Sequence, residues 1–206
     1  GLGLLKTISE DSAKRHAAPL TPDERDFALR PRPLMITKAS SRATVHRPVY
    51  MDYLGLRQFN AAGTVIGELR ILGLFSSSAY IAAIADIPLL RRKAARVMAR
   101  AGFPPGSHNA KALQHILETY PRDELFQIDE DTLFDFAQGI RQLEERQRVR
   151  LFLRRDDHAR FVSCLVYTPR DRYSTEIRRR YEKILIDALG GEQIDFTTSL
   201  TEAPMA

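Results

Sequence analysis

The sequence predicts an α+β fold: an antiparallel β-meander, a helical connector, and then a ferredoxin-like unit with the order β-α-β-β-α-β. Three observations predict it. Residues 34–75 are rich in β-branched and aromatic residues separated by turn residues, and residues 87–143 place apolar side chains at helical spacing. Residues 149–167 alternate between two faces, as strands do, and a further helix and strand follow them.

The composition is that of an ordinary globular protein. The chain has 206 residues, of which 44% are hydrophobic and 28% are charged. No apolar run approaches the roughly 20 residues that a membrane span needs, so no membrane contact is expected. The single cysteine, Cys164, cannot form an internal disulfide, which indicates a reducing compartment such as the cytoplasm. The start has neither an initiating Met nor a signal-peptide layout, so we expect a piece of a longer chain.

The first third is predicted to be a sheet after a loose lead-in. Residues 6–33 are polar and contain four prolines, so they are predicted to be mostly loop, with one short helix from Thr21 to about Leu29. Gly63 supplies positive φ for the turn between the last two strands. Because apolar residues lie on both faces, the sheet needs a cover. Strands are predicted at residues 34–38, 43–47, 50–59 and 64–75.

Two helices are predicted in the middle of the chain. The first begins after Asp86 and ends at Gly102, and the second is capped by Ser107 and ends near Tyr120. A basic helix face could bind nucleic acid, but a solvated face with cations towards the helix C-terminus is the favoured interpretation. The basic residues of the first helix are Arg91, Arg92, Lys93, Arg96 and Arg100.

Two weaker patterns in this region do not predict a site. The stretch 102–111 superficially resembles a phosphate loop but lacks the Gly-Lys-Ser/Thr ending that places a lysine on the phosphates. His115 and Glu118 could share one helix face, but two ligands without a third are poor evidence for a metal. We therefore predict no catalytic, cofactor-binding or metal-binding residue.

The last third contains the elements of the ferredoxin-like unit. A short strand is predicted at residues 123–128 (DELFQI), and Asp129 caps the helix that follows. Ser174 caps the second helix, Gly190 ends it, and residues 193–198 form the last strand. The first helix buries Leu133, Phe136, Ala137, Ile140 and Leu143, which recur at helical spacing.

The two central strands, at residues 149–154 and 161–167, are predicted to have one covered and one open face. Helices are expected to cover Val149, Leu151, Leu153, Val162, Cys164 and Val166, which makes Cys164 a buried structural cysteine. A contiguous open apolar face usually marks a contact surface. The predicted contact residues are Phe152, Phe161, Leu165 and Tyr167.

Several long strings resemble one family. They include MDYLGLRQF, GTVIGELRILGLFSSSAY, GFPPGSHNAKAL, ETYPRDELFQI, RFVSCLVYTPRDRYSTE and IDFTTSLTEAPMA. These strings are similar to the large bacterial NAD-dependent glutamate dehydrogenases, and the resemblance covers about residues 36–206. It implies an N-terminal region built of PAS-like and ACT-like modules, with the catalytic domain further along the parent chain.

The resemblance implies a division of labour. The parent enzyme would oxidise L-glutamate to 2-oxoglutarate and ammonium with NAD, while this segment alone would be inactive and hold no cofactor. Its partners would be the rest of the parent chain and other subunits of a homo-oligomer, and an amino-acid effector if the segment acts as a sensor rather than only as a scaffold. The expected parts are a partial PAS-like module at residues 1–86, a helical connector at 87–120 and an ACT-like module at 121–206.

An RNA-binding module is the alternative from another class. The predicted fold order, the net charge of +5 and the strand RFVSCLVY loosely resemble an RNA-recognition motif. That motif stacks bases on aromatic residues two positions apart on the open face. Here Ser163 and Leu165 occupy the intervening positions and the motif's glycine is missing, so the sequence disfavours RNA.

Overall fold

The computed structural model describes residues 29–145, 148–157 and 160–199, so the helix predicted from Thr21 falls outside the described residues. The chain divides into two compact units, one up to Ala82 together with Arg155–Val162, the other comprising Ala83–Arg154 and the residues from Ser163 onward. Within the described ranges, no helix is long and apolar enough to cross a membrane. The elements are β1 Leu34–Arg42, β2 Tyr50–Phe59, β3 Val65–Gly73, α1 Ser77–Ile81, α2 Pro88–Ala101, α3 His108–Thr119, α4 Arg122–Gln127, α5 Glu130–Glu145, β4 Arg150–Arg155, β5 Val162–Tyr167 and α6 Thr175–Leu189.

The first unit contains an antiparallel sheet with the order β1-β2-β3. The turn between β2 and β3 is as predicted: Gly63 has a φ of 77°, and the Asn60 side chain accepts the N–H groups of Ala62 and Thr64. Gly67 on β3 leaves room for the Gln58 side chain, because a Cβ there would lie 2.8 Å from the Gln58 side-chain oxygen, and the register of β2 and β3 shifts beside this pair.

The sheet has three strands rather than the predicted four. Residues 43–47 form part of the connection between β1 and β2, closed by the Ala43 N–H, which donates to the Val49 carbonyl at 2.8 Å. His46 takes a left-handed φ of 66°, which a strand does not tolerate. The β-branched residues of this stretch indicated a strand, but the antiparallel neighbours β1 and β2 need a turn here.

One face of this sheet is buried around Met35, Thr37 and Met51. The Thr37 hydroxyl donates to Asp156 Oδ1 at 2.6 Å, and Arg160 Nε donates to Asp156 Oδ2 at 3.1 Å. Burial alone would raise the pKa of Asp156, but the hydrogen bonds from Thr37 and Arg160 outweigh it and hold that pKa below its usual value. These bonds tie residues 155–162 to the first unit.

In the described residues the second unit contains the helices α2 to α6, and the end of α2 and the starts of α3 and α5 follow the sequence signals. Gly102 ends α2 with a φ of 65°, and the Ser107 side chain accepts the Ala110 N–H at 3.2 Å. Asp129 accepts the Thr132 N–H at 2.9 Å at the start of α5. The helices bury Leu90, Val97, Leu113, Leu117, Leu125, Leu133 and Leu143 almost completely.

The strand predicted at residues 123–128 is wrong, because this stretch forms α4. Pro121 stands at the N-cap position, and Asp123 and Glu124 occupy the first turn, where the helix dipole favours anions. Short apolar stretches do not distinguish strand from helix by period alone. The buried apolar residues are Leu125, Phe126 and Ile128.

The hairpin β4-β5 and helix α6 complete the described part of the second unit, apart from the hairpin tip. Ser174 caps α6 and Gly190 ends it with a φ of 65°, as predicted. Residues 193–198 form neither helix nor strand, so the predicted β-α-β-β-α-β order is not completed in the described residues. Instead, the Arg178 guanidinium lies 3.8 Å from the Phe196 ring centroid, where a cation–π contact holds the segment.

Candidate contact surfaces

The Phe152 face of the β4-β5 hairpin, which was predicted to be open, is covered. Phe152 is only 5% exposed, so its predicted exposure is wrong. Its ring centroid lies 5.0 Å from that of Phe136 on α5 and 5.8 Å from that of Tyr167 on β5. Gly139 on α5 makes room for the ring, because a Cβ there would lie 2.7 Å from Phe152 Cε1.

The charged residues on the Phe152 face of β4 have internal partners, which explains the error. Arg154 forms a two-point ion pair with Glu124 on α4, with Nη2 donating to Oε2 at 2.9 Å. Their side chains are only 10% and 8% exposed. Arg150 places its guanidinium 5.1 Å from the Phe152 ring centroid. These contacts lie within the second unit, and no local pattern in the sequence indicates them.

The other face of β4 is the exposed one. Leu151 and Leu153, predicted to be covered, are 42% and 43% exposed, and Val149 just before the strand is 48% exposed. We call these three residues the hairpin face. Phe161 and Leu165 are partly exposed, so their role in a contact stays a prediction.

A larger exposed apolar surface lies on the sheet of the first unit. Leu69 is 53% exposed, Ile71 47% and Leu56 38%. Contiguous apolar patches of this kind mark interaction sites more often than scattered single residues do. Cross-strand register aligns two rows, Leu34-Leu56-Leu69 and Ile36-Leu54-Ile71, which we call the aliphatic face.

The opposite face of β2 and β3 carries a polar cluster around Glu68. Arg57 Nη1 lies 2.5 Å from Glu68 Oε2, and Arg70 Nε lies 3.1 Å from Glu68 Oε1. The Tyr53 hydroxyl donates to Glu68, and burial together with that bond raises the pKa of Tyr53 to about 12. The charges of this cluster therefore pair with one another, and the aliphatic face is the side of this sheet that exposes Leu56, Leu69 and Ile71.

The basic residues of α2 are largely engaged within the second unit. Arg96 pairs with Glu130 at 2.7 Å, and Arg100 pairs with Asp131 at 2.6 Å. Both acidic residues lie in the first turn of α5. These ion pairs hold the basic face of α2 against α5, which weakens the interpretation of that face as a nucleic-acid binding surface.

Lys93 is the buried member of this set. Its ammonium donates to the carbonyl oxygens of Leu125 at 2.7 Å, Phe126 at 3.3 Å and Ile128 at 2.6 Å. These carbonyls belong to the C-terminal end of α4, where a helix leaves acceptors unpaired. Burial lowers the pKa of Lys93 to about 8. Lys93 thus links α2 to the end of α4.

The remaining candidate residues do not assemble a metal site in the described ranges. No group of three or more His, Cys, Asp and Glu side chains there could hold a metal ion. Glu118 of the His115–Glu118 pair instead accepts the Ile84 N–H at 3.2 Å. Burial, and then the negative charge of Glu124, raise the pKa of Cys164, which is partly rather than fully buried.

The geometry does not favour the RNA-binding alternative. Base stacking needs exposed aromatic faces on the strand. Tyr167 instead packs edge-on against the buried Phe152, and burial raises the Tyr167 pKa to about 12. The strand that suggested RNA thus uses this aromatic residue for internal packing.

Comparisons with known proteins converge on one family. The family model described as glutamate dehydrogenase, helical motif 1, matches residues 87–146, and the model described as glutamate dehydrogenase, ACT2 domain, matches residues 150–206. The NAD-specific glutamate dehydrogenase of Halomonas elongata is 46% identical over 176 residues, which is 85% of this chain. The chain belongs to the NAD-specific glutamate dehydrogenase family.

Two further NAD-specific glutamate dehydrogenases support the family assignment. The Pseudomonas aeruginosa protein is 43% identical and the Mycobacterium tuberculosis protein 35% identical, each over 84% of this chain. The chain spans only 10–11% of the length of these relatives. The helical model covers α2 to α5, and the ACT2 model covers β4, β5 and α6. The three-part division predicted from the sequence stays a prediction.

Sequence reasoning predicted that this sheet needs a cover but did not single out the aliphatic face, and it reversed the two faces of the hairpin. The aliphatic face left a signal, since Leu54 and Leu56 alternate on β2 while Leu69 and Ile71 alternate on β3. The hairpin left none, because alternation identifies two faces without saying which one a helix covers.

Proposed function

We propose that this chain is a non-catalytic part of the N-terminal region of an NAD-dependent glutamate dehydrogenase that deaminates L-glutamate oxidatively to 2-oxoglutarate and ammonium. The observation that carries the proposal is that its relatives are named for this activity, although the matched part is only 10–11% of their length. The nicotinamide and glutamate sites would then lie in the remainder of the enzyme. A cytoplasmic location belongs to the same proposal.

The proposed role of the segment is assembly. The two rows of three aliphatic side chains on this sheet leave apolar surface in water. Covering that surface stabilises the assembly by about 25 cal/mol for each Å² buried. We propose that another part of the parent polypeptide covers this face. Most of a relative's residues lie outside the matched part, so the parent enzyme has ample chain for that cover. The PAS-like character of the three-stranded meander is part of this proposal.

Activity of the purified chain tests its non-catalytic nature. We expect no glutamate-dependent reduction of NAD by the 206-residue chain, measured by absorbance at saturating substrate, while the full-length enzyme is active in the same assay. Turnover by the chain alone would show that it contains a catalytic site.

A matched pair of variants tests the assembly role in the full-length enzyme. Leu69→Lys places a charge on the aliphatic face, whereas Ile66→Lys places one at the register shift near the start of the same strand, at a residue that is 67% exposed and belongs to neither aliphatic row. We expect Leu69→Lys to weaken oligomer formation in sedimentation velocity and to lower activity, and Ile66→Lys to do neither. Equal effects, or self-association of the isolated chain through this face, would contradict contact with the rest of the enzyme.

A further inference from the structure

A groove lies between α2 and α3 and takes no part in the proposed assembly role. Its volume is about 180 Å³, and all of its lining residues belong to the second unit. Ala94 and Ala95 of α2 supply a small-residue wall, and Leu117 of α3 and Met98 of α2 add apolar surface. Small side chains at the centre of a helix pair leave room that larger ones would fill.

Two side chains of opposite charge, Arg91 and Glu118, line this groove and bond to the same short turn. Arg91 Nη1 donates to the Ala85 carbonyl at 3.3 Å, and Glu118 Oε2 accepts the Ile84 N–H at 3.2 Å. Since Ile84 and Ala85 are consecutive, one short 3-10 turn, Ile84–Asp86, holds both charged side chains. A guanidinium has five N–H donors and a carboxylate has two oxygens, so each retains capacity for a ligand.

We propose that this groove binds a short aliphatic α-amino acid. The Arg91 guanidinium matches a carboxylate, the Glu118 carboxylate matches the neighbouring ammonium, and the apolar wall matches the side chain. An α-amino acid carries both charged groups on one carbon, which suits two charged side chains that bond to consecutive residues of one turn. A cavity of about 150 Å³ holds benzene, so this groove suits a ligand of about eight heavy atoms, the size of valine. The site lies wholly within this chain and is independent of the assembly role.

Isothermal titration of the 206-residue chain with L-valine tests the proposal. Valinamide lacks the carboxylate and 3-methylbutanoate lacks the ammonium, so we expect each to bind at least tenfold more weakly than L-valine. We also expect saturating L-valine to raise Tm by about 2–4 °C. Equal binding of all three compounds would indicate apolar contact alone and overturn the proposal, as would the absence of binding by L-valine.

Neighbouring arginines on α2 provide matched variants. Arg91→Met removes the proposed carboxylate partner, whereas Arg92→Met removes an equally exposed charge outside the groove lining. We expect the Kd for L-valine to rise at least tenfold in Arg91→Met and to stay within twofold of the original in Arg92→Met. Glu118→Gln keeps an acceptor for the Ile84 N–H while removing the negative charge, and we expect the same tenfold loss. Unchanged affinity in Arg91→Met and Glu118→Gln would place any L-valine binding elsewhere.

Discussion

Replacing Gly139 by alanine should destabilise this protein, although alanine is the better helix former. In an exposed helix interior, Gly→Ala adds about 1 kcal/mol of stability. Here the new Cβ would lie 2.7 Å from Phe152 Cε1 and 3.0 Å from Cζ, closer than packed carbon atoms approach. The ring has little freedom to withdraw, because Phe136 and Tyr167 pack against it.

The expected magnitude follows from these opposing effects. Overpacking a well-filled core costs about 1–3 kcal/mol. Set against the gain in helix propensity of about 1 kcal/mol, we expect Gly139→Ala to lower the free energy of unfolding by up to about 2 kcal/mol. Urea unfolding followed by circular dichroism measures this as a lower midpoint with an unchanged slope.

A second background isolates the cause. Phe152→Leu removes the ring edge that the new Cβ would meet, so in that background Gly139→Ala should become neutral or stabilising, by up to about 1 kcal/mol. If Gly139→Ala stabilises the unmodified protein, Phe152 does not pack against α5. Its side chain would then point to the open face that simple alternation predicts.

Three further predictions concern the helices of the second unit. Lys93 has a pKa of about 8 in the folded protein against an ordinary value of 10.5, so the unfolded chain binds more protons than the folded protein between these pH values. The contribution of Lys93 to stability should therefore rise from pH 8 to 10.5. The difference in Tm between the original protein and Lys93→Met, followed across this pH range, measures that rise. Arg154→Met should cost about 3–5 kcal/mol in urea unfolding because it leaves the Glu124 carboxylate buried without its partner, and adding Glu124→Leu should recover most of that loss. Ser107→Ala should cost about 1 kcal/mol by removing the cap of α3, whereas Ser107→Asp should retain stability; a Tm equal to that of the original in both variants would show that the cap is dispensable.

The local signals of the helices were sufficient to predict much of the second unit. Gly102 and Ser107 mark helix ends through backbone chemistry that acts within a few residues, and the structure confirms both. The stretch 123–128 misled because six residues with three apolar positions fit either period. Its helical form depends on tertiary partners, including the Lys93 ammonium at its C-terminal carbonyls.

The orientation of the hairpin could not be predicted from alternation. Arg154 pairs with Glu124, which lies 30 residues earlier, and no local pattern reveals a partner at that separation. Gly139 carries the complementary information, since a glycine in the middle of α5 permits the close approach of Phe152. The candidate groove likewise depends on two helices meeting at Ala94 and Ala95, which becomes visible only in three dimensions.

The accessibility of one engineered cysteine tests the central claim of assembly most directly. Leu69→Cys and Ile66→Cys, each combined with Cys164→Ser, would be labelled with a maleimide in the isolated chain and in the full-length enzyme. Both positions are exposed in this chain, so both should label quickly when it is isolated. The proposed contact predicts that the full-length enzyme slows labelling at position 69 at least tenfold while leaving position 66 unchanged. Fast labelling at both positions in the full-length enzyme would show that nothing covers the aliphatic face and would contradict the assembly role.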